Sequence, residues 1–352
     1  MRKAENPANK NYETREILFE GGDQVGKGDA ALNTAKELAS LGEDVVLISF
    51  PFYATPIGST IRLVLSGGYE EFKDIPEMKD SVGRLRQVEC VMALFSLNRL
   101  EVLRYLSDCQ EKSNVIPILD RGSFSHALTI AYNVASGVIS GEEIDKAVDT
   151  AVLLDHEFTE ILGLDNCVIQ LRRANSTWSA TRGGGEDVYE CVEVQDICDD
   201  IYSRFAKKIG EGWNDVVTTD GGNWIDREDI LKEIVDFAKS RMRLGRPGQY
   251  GSFKIAPLTD VVGEIYSLDS VSKDLLSRLS SALEENNKKA MYDSALNIGM
   301  EIAKNTNRVS FDTRTCLIMK SIFDDFPECY AIIERYMGNK YINQLRKAIN
   351  EN

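Results

Sequence analysis

Two hydrophobic textures alternate along much of this chain. Short apolar runs bounded by turn residues occur in "REILFEG", in "EDVVLISF" (43–50), in "NVIPILDR" (114–121), in "NCVIQLRR" (166–173) and in "DVVTT" (215–219). They are β-branched and too short for helices, so each predicts a buried strand. Pro117 counts against the third, because proline cannot donate to a sheet. Between these runs, apolar residues recur three and four apart, which predicts helices at about 27–42, 55–68, 82–112, 124–136, 141–158, 190–209 and 226–240. The second is well punctuated: Thr55 can cap it, Pro56 suits its first turn and Gly67–Gly68 end it. Strands alternating with helices imply right-handed crossovers and an α/β fold, a parallel sheet of about five strands covered by helices on both faces.

The texture changes at both ends of this stretch. Residues 1–13 are polar and read as a flexible tail. Residues 241–256, "RMRLGRPGQYGSFKIA", are rich in Gly, Pro and Arg and read as a linker. From 257 to 352 the apolar spacing is helical, with about four helices expected. The pattern therefore divides the chain into a tail, an α/β domain over 14–240, a linker, and an all-α C-terminal domain expected to act as a stabilising or dimerising cap.

Composition narrows the partners. The 352 residues are 43% hydrophobic and 28% charged, ordinary for a globular protein, but the net charge is -15. Such a surface repels polyanions, so broad nucleic-acid binding is not expected. A small anionic ligand is compatible where basic residues converge locally. Seven cysteines without a C-x-x-C pair, and two histidines, suit neither a disulfide framework nor structural zinc. The N-terminus has no apolar core and no run approaches the ~20 residues that span a bilayer, so a cytoplasmic protein is expected and no membrane partner.

The chemistry concentrates in "FEGGDQVGKGDA", Phe19–Ala30. Gly21, Gly26 and Lys27 fit the Walker A pattern G-x-x-x-x-G-K-[ST]. A strand precedes the loop and a helix begins at Lys27, which aims backbone N–H groups and the helix dipole at an anion. The phosphate-binding set is then Gly21, Gly22, Gln24, Val25, Gly26, Lys27, Gly28 and Asp29. Gly28 stands where a hydroxyl for Mg²⁺ is usual, a feature adenylate kinases share. Asp29 either joins a metal shell or simply favours the helix N-terminus.

Four stretches in order resemble the thymidylate kinase family of P-loop nucleoside monophosphate kinases: "FEGGDQVGKG", "SFPFYATPIGSTIRLVLSG", "ALFSLNRLE" and "ILDRGSFSHALTIAY". The resemblance covers about 14–240; the family does not normally carry the segment after 250. It implies ATP and Mg²⁺ as donor and metal, and small nucleotides as partners. Lys27 and the loop amides would hold the donor phosphates. Arg121 would hold the acceptor phosphate, and Asp120 would lie near the metal. Asp23 would meet the acceptor sugar. Phe50, Arg62 and Ser125 would line the acceptor site, with Phe95 and Arg99, one helical turn apart, on the base. The glycine-rich stretch 175–189 sits at the family's lid, with Arg182 as the catalytic lid arginine and Arg172 and Arg173 at its start. Departures are Gly122 for an aromatic, and Tyr53, His126, Ile130 and Val188 at positions the family fills otherwise. The expected activity is dTMP to dTDP. The alternatives are phosphorylation of another or modified pyrimidine nucleotide, or a catalytically weak nucleotide-binding regulator whose helices bind a partner. A homodimer is left open.

Overall fold

A computed structural model describes residues 15–67, 83–111, 114–174, 192–220, 222–245, 250–255, 261–263, 266, 271–285, 287–306 and 308–352. The first five strands are β1 (Ile17–Glu20), β2 (Val45–Ser49), β3 (Ile116–Asp120), β4 (Val168–Arg172) and β5 (Trp213–Val217). A two-stranded hairpin follows, β6 (Thr219–Asp220) and β7 (Asn223–Trp224), and then β8 (Phe253–Ile255). The main sheet is parallel, in the order β5-β4-β1-β3-β2-β8. It has six strands, because the Gly/Pro-rich stretch supplies β8, paired to β2 at Val45–Leu47. Three residues among glycines and prolines are too few to show a strand period, so the sequence gives no sign of β8.

Pro117 is accommodated by register. The Ile116 N–H donates to Asp44 of the β2 side (2.8 Å), so the next residue faces β1. There Ile118 pairs with Ile17, the first residue of that strand. The missing N–H of Pro117 therefore lies ahead of β1 and interrupts no ladder.

Alternate strand residues enter opposite layers. Ile17, Phe19, Ile118 and Ile169 pack beneath α1 (Lys27–Ser40) and the helix Arg227–Arg241. Leu18, Leu119 and Val168 face the other layer. That layer contains α2 (Pro56–Gly67), α3 (Gly83–Glu111), α4 (His126–Ala135), α5 (Glu142–Leu154), α6 (His156–Leu162) and α7 (Val192–Ile209); the helix Arg227–Arg241, on the α1 side, is α8. Thr55 does cap α2, accepting from the Gly58 N–H (3.3 Å). The single helix expected over 141–158 is two helices that break at Asp155, whose carboxylate is taken up by buried partners described below.

Four further helices follow: α9 (Lys273–Glu284), α10 (Lys288–Asn305), α11 (Thr313–Asp325) and α12 (Glu328–Glu351). Ser272, Asn287 and Asp312 cap the first three through side-chain oxygens. Their apolar faces join the same core as α2 and α3, through Ile298, Ile302, Met319, Phe323, Ile342 and others. Gly299 of α10 lets that helix approach α2 closely: a Cβ there would lie 2.6 Å from the Thr55 carbonyl oxygen and 2.8 Å from Ser59 Cβ. A buried carboxylate joins the layers. Glu101 of α3 accepts from the hydroxyls of Tyr266 (2.8 Å) and Tyr341 (3.0 Å), and from the Ile57 N–H (3.3 Å). The six described cysteines are all buried thiols. Among the described residues, no helix is long and apolar enough to cross a membrane.

Because Gly299 faces backbone rather than a flexible side chain, Gly299→Leu is expected to lower stability by about 1–3 kcal/mol, as overpacking does. Chemical denaturation of the full chain measures it.

Candidate active site

The site forms where β1 and β3 end side by side. Leaving β1, the chain turns through Gly21 (φ 132°), Gln24 (φ 58°) and Gly26 (φ 89°) before α1 begins. Glycine is required at 21: a Cβ would lie 2.2 Å from the Leu171 carbonyl oxygen at the end of β4. At 22 a Cβ would lie 2.4 Å from Gln195 Oε1. The loop is thus pressed against its neighbours, with Val25 buried beneath it.

Two cations converge on consecutive loop carbonyls. The buried Lys27 ammonium donates to the Gly22 carbonyl, and Arg121 Nη1 donates to that of Gly21 (3.2 Å). Burial and the nearby Arg121 charge bring the lysine down to about 8, against the opposing pull of Asp23, Asp120 and Glu20. Arg121 has left-handed backbone (φ 72°) and pairs its other terminal nitrogen with Asp23. Asp23 is also clasped by Gln195 of α7. Its N–H donates to Gln195 Oε1 (2.6 Å), and Gln195 Nε2 donates to its carboxylate (3.1 Å).

Beneath these groups lies Glu20, fully buried. Its carboxylate accepts from the N–H groups of Gly122 (3.0 Å) and Phe124 (3.1 Å), from Ser125 Oγ (2.6 Å) and from the Tyr202 hydroxyl (3.0 Å). Burial raises its pKa, and the Ser125, Arg121 and Tyr202 interactions oppose that rise. Gly122 is glycine because a Cβ would lie 2.7 Å from Leu18 Cδ1 in the core.

Asp120 ends β3 facing the amino end of α1: an added Cβ at Gly28 would lie 3.7 Å from Asp120 Oδ2. Ser49 Oγ, ending β2, is 3.4 Å from the same oxygen. A carboxylate and a hydroxyl at the opening of the phosphate loop form an oxygen donor set that suits Mg²⁺. Asp29 is not part of it. It is exposed on the outer side of α1, 3.7 Å from Arg227 of α8.

The base-binding pair is not assembled as expected. Phe95 is partly buried, edge-on to His126 at 6.4 Å between ring centres. Arg99 is buried instead, its Nε donating to Asp155 Oδ1 (3.1 Å) and a terminal nitrogen to Oδ2. His126 Nε2 lies 2.6 Å from Arg99 and 2.8 Å from Asp155. Burial and the Arg99 charge push the His126 pKa below its usual value, against the pull of Asp155. Burial opposes ionisation of Asp155, but Arg99 and His126 keep its carboxyl below the ordinary range. Ile130 is buried, and Ser125 turns to Glu20. Phe50 is buried, edge-on to Phe158. Arg62 lies beside the touching rings of Tyr53 and Tyr292, 5.8 Å and 4.9 Å from their centres.

Arg173 donates to the Gln24 carbonyl (2.6 Å) and stacks on Trp224 at 5.2 Å. Trp224 is exposed beside Gly26, 3.6 Å from where a Cβ there would sit. Arg172 pairs loosely with Asp215 at 3.8 Å. Arg182 and Val188 lie outside the described residues. Gln195, Tyr202 and Trp224 were missed by sequence reasoning. The first two sit unmarked in an amphipathic helix, whereas "DGG" before Trp224 was a readable hairpin signal. Glu20 was within the matched motif without a role.

No family model matches the sequence, and no curated protein matches it. Solved structures do. A thymidylate kinase from Candida albicans matches at 21% identity and TM-score 0.44, over 64% of this chain and 92% of that one. A thymidylate kinase from Ehrlichia chaffeensis matches at 19% identity and TM-score 0.38, over 63% and 97%. These are likenesses of chain path at low identity.

With its lysine near 8, the free loop must recapture a proton before it binds an anion in alkaline solution. ATP affinity is therefore expected to hold below pH 8 and to fall above it, by up to about tenfold per pH unit. Calorimetric titration across that range checks it; a flat profile would place the lysine charge elsewhere.

Proposed function

We propose that this protein is a nucleoside monophosphate kinase that transfers a phosphoryl group from ATP to dTMP. The observation that carries the reading is the convergence of Lys27 and Arg121 on the carbonyls of Gly22 and Gly21, at the carboxyl ends of parallel strands. In an acidic chain, these cations form a local focus for phosphates. Lys27 and the loop amides hold the donor phosphates. Arg121 exchanges its contact with Asp23 for the acceptor phosphate, which leaves Asp23 to meet the acceptor sugar. Trp224 and Arg173 form a stacking edge for the donor base. Phe50, Phe95 and Arg62 form the acceptor wall, and Arg182 is assigned to the closing lid.

Asp120 and Ser49 would hold Mg²⁺, which when bound neutralises charge on the donor oxygens. The residues present fit that ion without a hydroxyl at position 28. The protein's share of the chemistry is alignment and electrostatic stabilisation of an in-line transfer, with water kept out. One observation favours a different acceptor: Arg99 and His126 are committed to Asp155, so the base edge is read by other groups and a second pyrimidine nucleotide can be preferred.

Diphosphate formation from ATP, Mg²⁺ and a panel of nucleoside monophosphates tests this directly. Transfer to dTMP foremost is expected, with Lys27→Ala and Asp120→Asn each lowering kcat by about a hundredfold or more. Gly28→Ser, which the 3.7 Å clearance accommodates, is expected to lower the Mg²⁺ concentration required. Transfer to another acceptor selects the second pyrimidine reading. Nucleotide binding without turnover would contradict the kinase assignment.

A further inference from the structure

Two thiols meet where the C-terminal helices join the α/β portion. Cys90 lies in α3 and Cys329 in the first turn of α12, 239 positions apart. Their sulfurs are 3.5 Å apart, and Cys329 Sγ also donates to the Cys90 carbonyl (3.6 Å). Both residues are fully buried. Neither belongs to the nucleotide site. A clasp lies beside them. Arg86, one helical turn before Cys90, donates through Nε to Glu328 Oε1 (3.1 Å) and through Nη2 to Glu328 Oε2 (3.0 Å) and to the Asp325 carbonyl. Its guanidinium carbon lies 4.4 Å from the centre of the Phe326 ring. Residues 325–328 lead directly into Cys329, so these contacts anchor the segment that carries it. The clasp is partly open to solvent, with 31% of the Arg86 side chain exposed, whereas the sulfurs behind it are not.

We propose that Cys90 and Cys329 form a redox latch, a disulfide between α3 and α12 that a peroxide installs and a dithiol removes, guarded by the Arg86–Glu328 clasp. In the closed state burial raises the Cys90 thiol well above its ordinary pKa; Cys329 and Glu328 add to the rise and Arg86 opposes it. Since the thiolate is the nucleophile, reaction waits for the start of α12 to lift. Lifting exposes Cys329 first, because Cys90 lies in the interior of the 29-residue α3. The Cys329 thiolate attacks one oxygen of hydrogen peroxide, giving a sulfenic acid and hydroxide. The Cys90 thiolate then attacks the sulfenic sulfur and releases a second hydroxide. The two thiol protons convert both hydroxides to water, so two thiols and one peroxide give one disulfide and two waters. Two electrons pass from sulfur to oxygen. The bond closes a loop across the 239 positions that separate the cysteines, and so removes conformational freedom from the unfolded chain.

The test treats the full chain with hydrogen peroxide, unfolds it in the presence of an alkylating agent, and maps its peptides by mass spectrometry. The expected product is a peptide pair joined through Cys90 and Cys329, two hydrogens lighter than the separate peptides and absent after dithiothreitol. The urea unfolding midpoint of the oxidised chain is expected to rise by about 0.5 M or more and to return on reduction. Cys329→Ala and Cys90→Ala are each expected to abolish both the linkage and the rise. Arg86→Ala and Glu328→Gln are expected to speed the linkage a few-fold by loosening the clasp. Alkylation of both thiols after peroxide, or linkage of either to a different cysteine, would overturn the latch. A linked chain with an unmoved midpoint would show that the bond constrains nothing. Linkage at the wild-type rate in both clasp variants would overturn the guarding role of Arg86.

Discussion

The site depends on the hydrogen bonding of one buried carboxylate. Glu20 ends β1 with no solvent to ionise against, and a polar group so placed is costly unless every lone pair is used. Four donors satisfy it, three from the turn after β3 and one from Tyr202 of α7. That arrangement fixes where the turn begins and so directs Arg121, in its left-handed conformation, back across the phosphate loop. Arg121 then meets Asp23 and the Gly21 carbonyl. Gln195 holds Asp23 from the far side. The placement of Arg121 is therefore a consequence of how one strand end is satisfied.

Glu101 works in the same way one layer out. It is buried in α3 and receives hydroxyls from Tyr266 and Tyr341, beyond the α/β portion, together with the Ile57 N–H at the start of α2. Burial raises its pKa, and the hydrogen bonds act against that rise. A carboxylate shared by α2, α3 and the C-terminal residues gives the C-terminal helices a fixed register against α2 and α3. The apolar cluster running through all of them supplies the adhesion.

Much of this was readable in the sequence where local rules dominate. Strands β1 to β5 are β-branched runs at glycine-bounded positions, and the phosphate loop is a geometry few residues other than glycine can adopt. What was not readable depends on distant partners. The helix pattern over 141–158 is continuous in period, but Asp155 leaves it to meet Arg99 and His126. Arg99, one turn from Phe95, had the right spacing to read a base, and spacing says nothing about a carboxylate more than fifty positions away. Asp29 is two residues after Lys27, yet the helical turn carries it outward to Arg227.

We propose that donor and acceptor phosphates meet across Lys27 and Arg121. It is tested most directly by calorimetric titration with adenosine and thymidine joined through five phosphates. A ligand that spans both halves should bind at least about a hundredfold more tightly than ATP or dTMP alone, through the high effective concentration of its second half. Binding no tighter than ATP would contradict the account, because it would leave the loop a donor site with no acceptor site beside it.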